Sequence, residues 1–210
     1  MKWAPRNLDD IFAAVIQHLY LVVSSVGIAL IISLVVGIWV ARRPKAFSAI
    51  IMVTGVLFAI PSLALFALLI PLMGIGTGPA ITGLSAYSLM ILIRNIAVGF
   101  QSIPADVLEA AHGMGYGTPR RLWEVELPLA MPFIVAGIRI ATVTVVGIAT
   151  VAAYINAGGL GAIIFEGIDQ RFPEKIIIGG LLTSALALLS DFVLSRIEAQ
   201  LSPSRKGNAP

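Results

Sequence analysis

The sequence predicts an all-α fold: a polytopic membrane helical bundle of about five spanning helices, forming a single domain over residues 1–210. Three observations predict it. Hydrophobic residues make up 58% of the chain and charged residues only 12%, against roughly 25% charged in soluble domains. The apolar residues gather into runs near the roughly 20 residues a helix needs to cross a bilayer. Glycines and prolines cluster where one run gives way to the next. The length leaves no room for a second globular domain. With no cysteine in the chain, disulfide frameworks, zinc thiolates and thiol nucleophiles are excluded.

The first run, Leu19 to Ala41, exceeds the roughly 7–15 apolar residues of a cleavable signal peptide, so it reads as a retained span at about 19–41. Ser25, Ala29, Ser33 and Gly37 put a small residue at every fourth position. Such a face lets membrane helices approach closely, within the chain or across a dimer seam. The second run, about 47–73, is overlong and holds Pro61 and Pro71. Proline removes an amide donor and clashes with the preceding turn. The run is therefore either a kinked span with a broken end or a span followed by a re-entrant piece. Gly74, Gly76, Gly78 and Pro79 turn the chain into a third span at about 80–100. A fourth at about 129–153 opens with Pro128 and Pro132, and a fifth covers about 176–195. No internal repeat stands out, which argues against an inverted-repeat secondary transporter.

Charge asymmetry orients these helices. With the N-terminus outside, the inner side collects Arg42, Arg43, Lys45, Arg120, Arg121, Arg196, Arg205 and Lys206, and the outer side only Lys2, Arg6, Arg171 and Lys175. The reading is N-terminus outside, C-terminus cytoplasmic, with the polar segment 104–128 on the inner face.

That segment carries its own local logic. Pro104 suits a first helical turn, and Asp106 and Glu109 follow where the helix dipole favours anions. Val107, Ala111 and Met114 share a face, giving a short amphipathic helix at about 104–114. Gly113, Gly115 and Gly117 stop it, and Thr118-Pro119 starts a second short helix bearing Arg120, Arg121 and Trp123. An acidic start, a slim Ala110-Ala111 face and a glycine stop suit insertion into a partner's groove. An inner-leaflet interfacial helix is the alternative.

Glu109-Ala110-Ala111, three residues, Gly115, nine residues, then Val125-x-Leu127-Pro128 resembles the cytoplasmic coupling loop of ABC-importer permeases, with Val125 in place of isoleucine. Ile93-Arg94-Asn95, Gly99, Ile103, Gly113-Met-Gly115, Leu122-Trp123, Glu126-Leu-Pro-Leu-Ala130, Pro132, Ala136-Gly-Ile-Arg139 and Gly158-Gly-Leu-Gly161 narrow the resemblance to the osmoprotectant branch, the glycine betaine, carnitine and choline type. It covers about residues 20–195 and departs at His112, Tyr116-Gly117 and Tyr154-Ile155-Asn156. The resemblance implies an importer-permease (MetI-like) fold with a cytoplasmic coupling helix. It also implies ATPase-coupling roles for Glu109, Ala110, Ala111, Gly115, Leu127 and Pro128. The implied partners are two copies of an ABC ATPase subunit, a second permease copy or related permease, and an extracytoplasmic solute-binding protein, in a bacterial or archaeal plasma membrane. The chain itself is then not an enzyme and holds no cofactor, ATP and Mg being bound by the partner ATPase. Membrane lipid surrounds it, and no nucleic acid is expected.

Ionisable groups within spans are costly and face the protein interior or a cavity. Arg94, Asn95, Arg139 and Asp191 are the intramembrane polar residues. Counted from the expected span ends, Arg94 and Asp191 each lie roughly 9 Å from the inner side and Arg139 roughly 16 Å, so Arg94 is expected to pair with Asp191. Tyr154, Asn156, Gly158, Gly159 and Gly161 form a candidate outer gate or docking ledge ahead of an amphipathic stretch, Ile163 to Phe172; a plain turn into an interfacial helix is the other reading. His18 and His112 are expected to be solvated or interfacial, and without cysteine no metal site is expected. Two other classes fit the residues less well. An ATP-independent secondary transporter or channel needs carboxylates in its spans, and only Asp191 qualifies. An intramembrane protease needs a base beside a serine, and no histidine lies mid-membrane.

Overall fold

The computed structural model describes residues 3–201. The helices are α1 (Leu8–Ala41), α2 (Pro44–Ala59), α3 (Ser62–Met73), α4 (Thr77–Gln101), α5 (Ala105–Gly113), α6 (Thr118–Arg121), α7 (Leu127–Ala152), α8 (Leu160–Asp169) and α9 (Pro173–Leu201). A π-helical turn, Leu122–Glu126, joins α6 to α7, and short 3₁₀ turns occupy Ala4–Arg6 and Ala153–Ile155. Four helical stretches are long and apolar enough to cross a membrane, and a fifth crossing is available to α2 and α3 together. Lys2, Arg205 and Lys206 of the charge count lie outside the described residues.

α1 begins eleven residues before the expected span. Its 34 residues measure roughly 51 Å, well beyond a hydrocarbon core of about 30 Å. The Ser25, Ala29, Ser33 and Gly37 face is buried, and it packs within the chain against α4. A Cβ on Gly37 would lie 2.7 Å from Ile96 Cγ2, and the Ser85 hydroxyl donates to the Ser25 carbonyl at 3.1 Å. Small residues make the α4–α7 seam in the same way, Gly99 against Phe133 and Gly137 against Asn95.

The overlong second run breaks at Pro61. Ile60, held extended (ψ 129°) as residues before proline are, separates α2 from α3, and the two helices meet at 95°. The carbonyl freed there is not orphaned, because Tyr87 on α4 donates its hydroxyl to Ile60 O at 2.5 Å. Pro71 sits inside the last turn of α3 and breaks nothing. The ends of the bent pair fix its path. The α1 end at Ala41 accepts a bond from Gln101, the last residue of α4, so α1 and α4 finish on one side. The Gly76 amide donates to Ile155 beyond the far end of α7 at 2.7 Å. The bent pair therefore carries the chain from one end of the bundle to the other.

Two stacked apolar clusters fill the interior. One joins Leu21, Val26, Phe66, Leu84 and Val145 near the α8 end. The other joins Val40, Leu92, Ile96, Ile103 and Ile134, and the half-buried Val107, Leu108, Leu122 and Leu127 pack against it. The polar segment 104–128 is thereby seated on the bundle and does not hang free.

Candidate coupling site

α5 starts behind Pro104, which serves as its N-cap in extended geometry (ψ 141°). It stops in a Schellman motif: the Gly115 amide donates to His112 O at 2.9 Å and the Tyr116 amide to Ala111 O at 3.1 Å. That closure needs a left-handed residue at the turn, and Gly115 supplies it at φ 79°. Of the three glycines expected to stop the helix, only this one acts so. Gly113 is still helical, and Gly117 caps α6 with φ −65°.

Helical spacing divides the motif between two faces. Ala111 is buried, with Val107 and Leu108 half-buried beside it, whereas Asp106, Glu109, Ala110 and Gly113 are exposed at i, i+3, i+4 and i+7. Met114 does not join the packed face as expected; it caps the helix and is 68% exposed. The outward stripe is thus one carboxylate pair flanking a small, nearly flat surface. Leu127 and Pro128 form the first turn of α7, Pro128 exposed and Leu127 half-buried. Pro128 has no amide to donate to Glu124 O and its ring crowds that carbonyl. The helix widens just ahead of it, where the Leu127 amide bonds Leu122 O five residues back.

Sequence reasoning missed the most buried charge of the segment. Glu126 is 2% exposed and accepts from two guanidinium groups, Arg121 Nε at 2.8 Å and Arg42 at the end of α1. Its signal was present, since a lone carboxylate amid Val125, Leu127 and Pro128 must find cations to be buried at all. Arg120 pairs with Glu124 on the exposed side at 3.0 Å.

The expected Arg94–Asp191 pair does not form. Asp191 accepts from Arg139 Nε at 2.6 Å and from Arg139 Nη2 at 3.1 Å, and Arg139 Nη1 reaches Glu198 at 3.2 Å. The depth count failed because α9 runs on to Leu201, which puts Asp191 about 15 Å from its end, level with Arg139. Arg94 is exposed on α4 and Asn95 donates within its own helix to Ile91 O. The Arg139 cluster lines an open cavity of about 410 Å³ between α7 and α9.

At the other end, Tyr154 is exposed on the 3₁₀ turn, Asn156 is left-handed (φ 66°), and Gly158 and Gly159 have φ 78° and 74°. A Cβ on Gly161 would stand 2.0 Å from Thr150 O. This segment is pinned to α1: the Gly159 amide donates to Gln17 Oε1 at 3.0 Å and the Leu160 amide to His18 Nδ1 at 3.3 Å. His18 Nε2 donates to Val146 O at 3.1 Å. His18 is therefore fully buried and not solvated, because both ring nitrogens have partners; His112 is exposed as expected. Beyond this segment, Lys175 binds Glu166 at 2.5 Å, and that ammonium holds the Glu166 carboxyl below the usual range. Among the described residues no cluster of metal-ligating groups occurs.

A bundle of membrane-crossing helices with a short amphipathic helix seated at one end between its third and fourth crossings is the architecture of an integral membrane protein with a polar loop for a partner. Residues 33–203 match the family described as binding-protein-dependent transport system inner membrane component, and the chain belongs to that family. It is 38% identical to the carnitine transport permease protein OpuCB of Listeria monocytogenes, over 94% of this chain and 91% of that one. It is 37% identical to the glycine betaine/carnitine/choline transport system permease protein OpuCB of Bacillus subtilis, over 97% and 94%. It is also 37% identical to the osmoprotectant import permease protein OsmW of Salmonella typhimurium, over 94% of each. In fold it resembles a chain of the inward-facing MetNI methionine ABC transporter, with TM-score 0.81 over 92% of this chain and 96% of that one, at 24% identity.

Proposed function

We propose that this chain is the transmembrane subunit of an ATP-driven importer of quaternary-ammonium osmoprotectants, of the glycine betaine, carnitine and choline type. The observation that carries the reading is the outward stripe Asp106, Glu109, Ala110 and Gly113, on a helix whose other face is locked to the bundle. A partner ATPase groove takes that stripe. ATP closes an ATPase pair, draws two such helices together and opens the spans outward, and hydrolysis returns them inward. Two ATPase copies, two permease chains and an extracytoplasmic binding protein make the working assembly, in a bacterial or archaeal plasma membrane with the N-terminus outside. ATP and Mg belong to the ATPase.

The solute class rests on the named relatives. Aromatic cages suit quaternary amines, yet the ring pairs here, Phe58 with Tyr87 and Tyr154 with Phe165, enclose no cage. Affinity then resides chiefly in the binding protein and the permease offers weak passage. The test is uptake of radiolabelled glycine betaine, carnitine and choline into vesicles holding the reconstituted complex. Glu109→Lys and Ala110→Trp should leave the permease inserted but lower ATP-driven uptake at least about tenfold, a coupling loss of roughly 1.4 kcal/mol. Uptake that persists without the ATPase overturns the reading.

A further inference from the structure

α1 is fastened at its C-terminal cap and again about two and a half turns inside its start to the two segments that the transport cycle must connect. At one end Arg42 donates to the buried Glu126, which Arg121 also holds. At the other, Gln17 and His18 accept from the first amides of the Gly159–Leu160 turn. From Gln17 to Ala41 is 25 residues of unbroken helix, with Arg42 as its cap, roughly 37 Å, more than the hydrocarbon thickness of about 30 Å.

We infer that α1 is a strut: Glu126 and Arg42 are positioning residues through which displacement of the coupling segment reaches the Gly158–Gly161 segment, by way of Gln17 and His18. α7 joins the same two regions covalently, but it is entered through a π-helical turn at Leu122–Glu126 and followed by a 3₁₀ turn with a left-handed Asn156. Both are places where a push is absorbed by backbone rearrangement. α1 has neither, and its end groups are charged or amide-bonded, so the axial load passes along it. Glu126 stays charge-compensated by Arg121 when Arg42 is removed, so the strut can be released without stranding a buried carboxylate.

The inference rests on the coupling reading above, and the experiment separates the two. The chain has no cysteine, so Ala162→Cys, exposed on α8, accepts one environment-sensitive fluorophore per permease chain when labelled before the complex is reconstituted. Three quantities are read: ATP hydrolysis, glycine betaine taken up per ATP, and the fluorescence change on trapping with ATP and vanadate. Arg42→Gln should keep hydrolysis while cutting both uptake per ATP and the fluorescence change by about fivefold or more, the range of ordinary site-to-site coupling. Arg42→Lys should restore most of each, and Gln17→Leu should reproduce the loss from the opposite end. If Arg42→Gln and Gln17→Leu keep the parental ratio and signal, the strut is overturned while the coupling reading stands. If the parental complex shows no ATP-driven uptake, the coupling reading falls and the strut with it.

Discussion

Arg139 and Asp191 show what a charge within a span demands. The two side chains are 33% and 41% exposed, so neither is sealed in protein, yet both lie near the middle of long apolar helices. A lone charge there is costly and needs a partner or a watery cavity, and the two hydrogen bonds to Asp191 with a third to Glu198 supply the partner. Removing Asp191 should hurt, because it leaves Arg139 with only its single, longer contact to Glu198. Asp191→Asn should therefore lower the yield of folded complex on size exclusion. Arg139→Asp combined with Asp191→Arg should recover much of it, whereas Arg94→Asp combined with Asp191→Arg should recover none. Recovery in the Arg94 pair alone would show that the α7–α9 arrangement is wrong. Nothing in the residue types separated the two arginines beforehand. The decision lay in where α9 ends, and its last turns carry Glu198 and Gln200, which hydropathy counts as the exit from the membrane although the helix continues.

Helices that bear their own stop signals were legible, and those whose ends are set by distant partners were not. The α5 stop could be read because a glycine at the right spacing is the ordinary way to enter the left-handed region. The break at Pro61 could be read from the proline, but not the 95° turn, which depends on Tyr87 reaching across from α4. The early start of α1 was missed because Asp9, Asp10, Gln17 and His18 depress its hydropathy. Those last two are satisfied only by Gly159, Leu160 and Val146, more than a hundred residues away. Glu126 was overlooked although Arg121 lies only five residues away, and its other partner, Arg42, caps a distant helix. The legible α5 stop yields a graded prediction. Nothing lies within 4 Å of a Cβ built on Gly115, so any substitution there is judged by its backbone cost alone. Asparagine visits the left-handed region readily, whereas alanine loses about 1 kcal/mol and a β-branched residue more. Uptake by the reconstituted complex should then fall in the order Gly115→Asn, Gly115→Ala, Gly115→Val. Equal uptake for all three would mean the Schellman closure plays no part in presenting the outward stripe.

Across the whole molecule the element ends sort into two layers. Arg42, Gln101, α5, α6 and the start of α7 meet at one end, tied by the Arg42–Glu126 and Gln101–Ala41 contacts. The Gly74–Gly76 turn, the end of α7, α8 and the start of α9 meet at the other, tied by Gly76 to Ile155 and by Lys175 to Glu166. The chain passes between the layers five times, counting the bent pair once, so α1 begins and α9 finishes in opposite layers. The layer holding α5 carries Arg42, Arg43, Lys45, Arg120 and Arg121 on short connections. Such a lysine and arginine excess marks the cytoplasmic side. In the α8 layer Arg171 and Lys175 stand among Glu166, Asp169 and Glu174. Since the chain has no native cysteine, single substitutions report sidedness without background. His112→Cys and Gln170→Cys, both exposed and in opposite layers, should behave oppositely toward a membrane-impermeant maleimide. Intact cells or spheroplasts should label Gln170→Cys fully and leave His112→Cys unlabelled until the membrane is permeabilised. The reverse pattern would put the α5 stripe outside, away from ATP, where no ATPase could reach it.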